Sequence, residues 1–436
     1  MVEILLFLTA LCFVVARRYD VPLLIILLFF GAYSFVGTSK SDTFFEHNFS
    51  DTALLLLIIV EATLLLWRRA PQIRQLRGVK LGIVLFFVFF IVCASIDIYV
   101  NHDKVSSVLK IFRLWFPISM AWSVRYIKPK EIHRLIKYVV VVSVLLSFLI
   151  VVQKLTSLEI LHTHKVVSAP DRYSLPWILS LFVVMLLFGN YFKSFWVKWP
   201  SIAIIMINIV MSGSRSISMA YFVAVILFIM IRGSLSSKKI FALAFSFLAV
   251  VAVFSTDNVL SRRMDQASNE GMNIANEKVE GTFSLRILLL YERMDYMNQK
   301  LQYMVFGIGC VQEKDFTPNT FKIGAKFKWN ALPQQLDTGD IAWAPLFLRF
   351  GYVGTFILIV FIYIPLMVMF IKRRQNMFLG GMGVYMLINL LMISFTYSYI
   401  YDGYYFLLPL ALVAFVPVVD RNQKEAHQRK LIEEKQ

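Results

Sequence analysis

Apolar residues along this chain fall in repeated blocks separated by short polar stretches, and this spacing carries the first inference. Each block is close to the roughly 20 residues of helix needed to cross hydrocarbon. A water-soluble core would instead show apolar residues recurring every third or fourth position beside polar ones. The blocks lie near 2–16, 21–37, 52–67, 81–96, 105–124, 138–153, 175–191, 200–213, 216–231, 240–256, 341–371, 377–395 and 405–419. The pattern predicts an all-α polytopic membrane protein with about 12–14 transmembrane helices. It divides the chain into an N-terminal bundle of about ten spans (1–256), a large loop (257–340), C-terminal transmembrane helices (341–419) and a charged tail (420–436).

Composition agrees: the 436 residues are 58% hydrophobic and only 16% charged, far from a soluble domain. The net charge of +17 changes the picture less than its distribution does. Basic residues occupy every second short loop: Arg17 and Arg18; Arg68 to Lys80; Arg125 to Lys137; Lys193 and Lys198; Arg232 to Lys239; Lys372 to Arg374; and the tail from Arg421. The intervening loops are neutral or acidic, as with Asp42, Glu46 and Asp51, or Asp97 and Asp103. Cytoplasmic loops collect Lys and Arg. The charge therefore reads as a topology signal, with some attraction to anionic membrane lipids. It does not call for nucleic acid. The N-terminus and the large loop are expected outside, and the tail in the cytoplasm. Met1–Ala16 lacks the basic leading region of a cleavable signal. Cys12, Cys93 and Cys310 imply no disulfide framework.

Residues 257–340 break the short-loop pattern. They are too aromatic and apolar for disorder, and long loops of that kind are usually functional. Phe283–Tyr303 predicts an amphipathic helix suited to a membrane surface. Lys110 and Arg113 are three apart within the apolar stretch Val105–Val124, so they share a helix face. As part of a crossing helix they would lie roughly 8–12 Å deep. Charge at that depth needs a partner or a cavity. Two readings stand: a pairing with Glu61 that only holds helices together, or a cationic patch for a phosphate or pyrophosphate. Arg215, in Ser212-Gly213-Ser214-Arg215-Ser216, sits at a polar break between two apolar stretches, where the next span can offer its N-terminal amides to an anion. A hairpin with a snorkelling Arg fits that break equally well. His162 and His164 read as a solvated pair, and no His/Cys/Asp cluster has metal-ligand spacing.

Three motifs in order carry a family resemblance. Ser212–Ser216 resembles the "S-x-S-R" signature of the O-antigen polymerase and O-antigen ligase superfamily. Ser284-Leu285-Arg286, a helix, then Phe306-Gly307-Ile308-Gly309 resembles that family's Arg, helix, "G-x-G" pattern. Asp340 followed by Arg349-Phe350-Gly351-Tyr352-Val353-Gly354 resembles the segment closing the loop. The ligases carry a His eleven residues before the first of these glycines; here Asp340 stands there, after Asp337-Thr338-Gly339. The resemblance covers roughly residues 200–360.

The resemblance implies a GT-C-like membrane glycosyltransferase with a large periplasmic loop, in the bacterial inner membrane. Its substrates would be glycans carried on undecaprenyl pyrophosphate, joined without a nucleotide sugar and without a metal or other cofactor. Asp in place of His favours the polymerase, which extends lipid-linked repeat units into O-antigen, capsule or exopolysaccharide. The polymerase reading brings a chain-length regulator as a partner. The ligase, transferring polymer to lipid A core, is the first alternative, and a polysaccharide flippase the second. Arg215 and Arg286 are expected to hold the leaving pyrophosphate, and Asp340 to act as base with Asp337 second. Lys110, Arg113, Ser214 and Arg349 complete the expected substrate-binding set. Trp329, Trp343 and Tyr404 are candidate sugar-stacking rings.

Overall fold

The computed structural model describes residues 2–30, 34–35, 49–67, 76–156, 161–162, 165–166, 169–173, 194–211, 282–311, 327–329, 332–334, 341–395 and 403–421, with a few isolated positions between. The expected spans 175–191 and 240–256, and most of 216–231, lie outside these residues.

The helices, in chain order, are α1 (Val2–Val15), α2 (Asp20–Phe30), α3 (Phe49–Trp67), α4 (Arg77–Tyr99), α5 (Val105–Trp115), α6 (Met120–Ser123) and α7 (Pro129–Thr156). They continue with α8 (Phe195–Met211), α9 (Thr282–Asn298), α10 (Leu301–Phe306), α11 (Trp343–Phe356), α12 (Ile364–Ile371), α13 (Met377–Leu391) and α14 (Leu407–Leu412). Three short antiparallel strand pairs accompany them: Ser34–Phe35 with Leu161–His162, Lys165–Val166 with Ala169–Tyr173, and Phe327–Trp329 with Leu332–Gln334. The chain is a helical membrane protein. Four of its described helical stretches are long and apolar enough to cross a bilayer: Arg77–Tyr99, Pro129–Gln153, Trp343–Ile371 and Gly403–Arg421.

The stretch 105–124 lies within one uninterrupted run of helical backbone, 105–126, that alternates α-helix with tighter 3₁₀ turns. Its first piece, α5, has 11 residues, about 16 Å of helix. Val108, Ile111 and Trp115 are buried on one face while Lys110 is exposed, so the helix is amphipathic rather than apolar throughout. Pro117 follows in a 3₁₀ turn, Phe116–Ser119, then α6 and a second 3₁₀ turn, Val124–Tyr126. Proline has no N–H for a helix ladder, which accounts for the local change from α-helix to 3₁₀ turn. The turn Phe116–Ser119 packs against another, Gly403–Phe406, at the head of the last span.

An aromatic cluster fixes this segment to the bundle. Trp115 lies 5.0 Å from Phe86 and 5.5 Å from Phe350 between ring centroids, and Phe90 lies 5.5 Å from Phe350. All four rings are fully buried and join α4, α5 and α11. At the other end of the bundle, Asp20 is buried with Arg134 Nε at 2.8 Å and Arg18 Nη2 at 3.2 Å. These contacts bring two of the basic loops together. Arg373 grips Asp420 through Nε at 2.7 Å and Nη2 at 2.8 Å, tying a third basic loop to the end of the last span.

The segment 257–340 meets the bundle through α9 and α10, which pack on α11. Helix α9 ends at Asn298, earlier than the expected Tyr303, and the chain re-enters a helix at Leu301. Gly307 (φ 87°, ψ −176°) then crosses Gly351 (φ 60°, ψ −172°), which kinks α11. Both conformations are essentially confined to glycine. A Cβ at Gly307 would sit 2.5 Å from the Leu348 carbonyl oxygen, and one at Gly351 would overlap the Val305 carbonyl.

Gly351→Ala should therefore cost on the order of 1–3 kcal/mol from conformation alone, with the overlap in addition. Gly78→Ala, where a Cβ meets nothing within 4 Å, is the control. Thermal unfolding of the purified protein in detergent should show a clear loss for Gly351→Ala and none for Gly78→Ala.

Candidate functional site

The loop and the bundle meet at the end of α4 and the head of α11. Asp97, in the last turn of α4, is 3% exposed and accepts the backbone N–H of Cys310. Asn101, one turn on, donates to Asp97 at 3.1 Å and to the Ile308 carbonyl at 3.3 Å. The Ile308 and Gly309 amides both donate to the Leu348 carbonyl, at 2.6 and 3.3 Å. The kink at Gly351 frees this carbonyl from the regular ladder of α11. The Cys310 thiol donates to the Arg349 carbonyl at 3.1 Å. Three chain segments thus close around one point: the end of α4 through residue 101, the turn 307–310 and residues 348–351.

Hydrophobic packing extends the junction. Met297, Phe321 and Leu348 form a buried cluster with Tyr296, Tyr303, Ile308, Phe347 and Tyr352 against it. Tyr352 donates to Asn298 Oδ1 at 2.9 Å, joining α11 to the end of α9. Arg293 is fully buried on α9 and lies 4.5 Å over the Phe321 ring, with its Nη1 3.3 Å from Glu292 and 3.2 Å from the Leu289 carbonyl. Cation and ring together make a firm contact in a dry setting.

The expected site residues are distributed as follows. Arg286 is half-buried near the start of α9. Arg349 is 2% exposed, two residues before the kink. Arg215, Ser214, Asp337 and Asp340 lie outside the described residues, although Ile341 and Ala342 beside Asp340 are buried, and the Ala342 amide donates to Ser394 at 3.0 Å. Trp343 donates through Nε1 to Ser394 Oγ at 2.9 Å and is half-buried, with its ring 5.8 Å from Phe347. Tyr404 donates to Tyr405 at 2.9 Å; the side chain of Trp329 lies outside the described set.

One expectation about the intramembrane charges changes. Glu61 is no counter-ion for Lys110 or Arg113: its carboxylate accepts the Ser119 hydroxyl at 3.1 and 2.9 Å. Arg113 pairs with Asp51 in the first turn of α3, where a carboxylate also suits the helix dipole. Lys110 is exposed on the polar face of α5.

Comparison with protein-family models, curated proteins and solved structures finds no match to this chain.

A cavity of about 10 Å³ between Tyr363, Tyr385, Asn389 and Tyr405 has room for about one water, and so is no glycan site. The residues missed from sequence are Asp97, Asn101 and Arg293. Asp97 and Asn101 stand at i and i+4 where an apolar span ends, and that spacing was the available signal.

Asp97→Ala should leave the buried Cys310 amide unsatisfied, at about 1–3 kcal/mol. Asp97→Asn, which keeps an acceptor, should cost less. Limited proteolysis within 257–340 should be faster for the alanine variant than for the asparagine variant.

Proposed function

We propose that this protein is a membrane glycosyltransferase of the polysaccharide-polymerase kind. It joins oligosaccharide repeat units carried on a polyprenyl pyrophosphate at the outer face of the inner membrane. The observation that carries this reading is the crossing of the Gly307–Gly309 turn with the Gly351 kink. Two of the three motifs behind the family resemblance, far apart in sequence, lie against each other. The crossing ties the helix bearing Arg286 to the helix that starts just after Asp340.

The chemistry needs three things. The anomeric carbon must lose its bond to pyrophosphate, and the leaving charge must be stabilised by fixed cations. Arg215 and Arg286 fill that role, since a guanidinium grips phosphate oxygens with two donors. The acceptor hydroxyl must lose its proton as its oxygen attacks, and Asp340 takes it, with Asp337 the second candidate. The sugars must be held, and Trp343 at the head of α11 offers a ring for stacking. Arg349 is buried in the junction and serves to position it rather than to meet substrate. Ser214, with the amides of the following span, would help hold the pyrophosphate. Lys110, exposed on α5, suits the approach of the pyrophosphate from the lipid side, while Arg113 is engaged by Asp51.

In cells depending on this chain for their polymer, Arg215→Ala and Arg286→Ala should leave the protein in the membrane. Long polysaccharide should fall by on the order of 10²-fold or more, as when one transition-state donor is removed. Gel analysis of surface glycan reads the result, and normal long-chain ladders in both variants sink the anion-site role. Asp340→Asn should likewise leave single repeat units on the carrier lipid. Unchanged polymer length and amount in that variant would exclude the base.

A further inference from the structure

Two thiols meet at the junction of loop and bundle. Cys93 and Cys310 are 1% and 0% exposed, both free in this structure, and the two side chains are within hydrogen-bonding reach. They are 217 positions apart in the chain, yet residue 310 is held against the Cys93 face of α4 by independent contacts. Asp97, one helical turn beyond Cys93, binds the Cys310 amide, and the Arg349 carbonyl accepts the Cys310 thiol at 3.1 Å. Asn101 adds a further clamp through the Ile308 carbonyl. The backbone is thus fixed on both sides of the pair before any sulfur chemistry takes place.

We propose that Cys93 and Cys310 are a redox site, closing to a disulfide that links the outer loop covalently to α4. This goes beyond the polymerase reading and does not depend on it. It does rest on the outward orientation of the loop, because disulfides persist in oxidising compartments. The oxidant is an external disulfide, supplied by an extracytoplasmic thiol–disulfide oxidoreductase. One cysteine, deprotonated, attacks the external disulfide and releases one of its thiols, giving a mixed disulfide. The second cysteine displaces the other thiol, and the Cys93–Cys310 bond forms. Two electrons pass to the external disulfide, and the two protons lost by the cysteines end on its thiols. Closure gives up only the weak thiol donation to Arg349.

The timing follows from burial. Desolvation pushes the Cys310 thiol well above its ordinary value, with Cys93 and Asp97 adding to the rise. Docked and reduced, Cys310 is therefore a poor nucleophile. The bond forms as the loop first folds onto α4, and once made it is shielded from reductant.

The test is alkylation with N-ethylmaleimide at the moment of lysis in denaturant, followed by the intact mass. The expected result is one label without reduction, on exposed Cys12, and three after reduction. A Cys93–Cys310 cross-linked peptide should appear in the digest. Three labels without reduction overturn the proposal. Purified reduced protein should also close the bond when refolded with oxidised glutathione; absence of the cross-linked peptide there overturns the contact itself. For orientation, Lys104→Cys is placed in a chain with all three native cysteines changed to serine, Lys104 being exposed just beyond α4. A membrane-impermeant maleimide should label it from outside; labelling only after permeabilisation overturns the proposal. A disulfide found in a protein that makes no polymer would leave this inference standing and remove the polymerase reading.

Discussion

Two backbones cross at Gly307 and Gly351 with no room for a side chain on either, and the rest of the junction follows from that approach. With the chains so close, the Leu348 carbonyl receives two amides from the turn after α10. The turn in turn delivers the Cys310 amide to Asp97 and the Ile308 carbonyl to Asn101. The Cys310 amide and Asp97 are buried and cannot turn to water, so each must find its partner in the protein. The kink at Gly351 also aims Phe350 into the aromatic cluster with Phe86, Phe90 and Trp115. Loop docking and bundle packing are therefore mechanically one arrangement.

A second constraint operates within the bundle. Charge in an apolar span needs a partner or water, and this chain meets the need with contacts between helices. Arg113 on α5 pairs with Asp51 on α3, while Lys110 is exposed. Ser119 donates to Glu61, so the carboxylate midway along α3 is hydrogen-bonded rather than ion-paired. Small residues do related work where helices touch: a Cβ at Gly82 would strike the Phe361 backbone, where α4 lies against the π-helical stretch Ile357–Tyr363.

Much of the architecture is legible from hydropathy because burial in lipid is written locally, one block at a time. The long apolar stretch 341–371 and the helix Trp343–Ile371 agree almost to the residue. The loop helix is legible for the same reason, though Lys300 and the change of direction at Leu301 end it sooner. Within 105–124 the mean apolarity hides a 3.6-residue period, which Val108, Ile111 and Trp115 against Lys110 carry. Pairings such as Glu61 with Ser119, Arg113 with Asp51, or Asp97 with Cys310 span 58 to 213 positions. No local rule reaches that far. The glycines of the two family motifs could be marked in the sequence, but their meeting could not.

The account stands or falls on whether this junction serves glycosyl transfer from a lipid pyrophosphate. The direct measurement is made on purified protein in lipid vesicles, supplied with a polyprenyl-pyrophosphate-linked repeat unit and no nucleotide sugar. The account predicts chains of increasing length and the release of free polyprenyl pyrophosphate, one for each bond made. Intact substrate after prolonged incubation with folded protein, or its passage across the vesicle membrane without elongation, would contradict it.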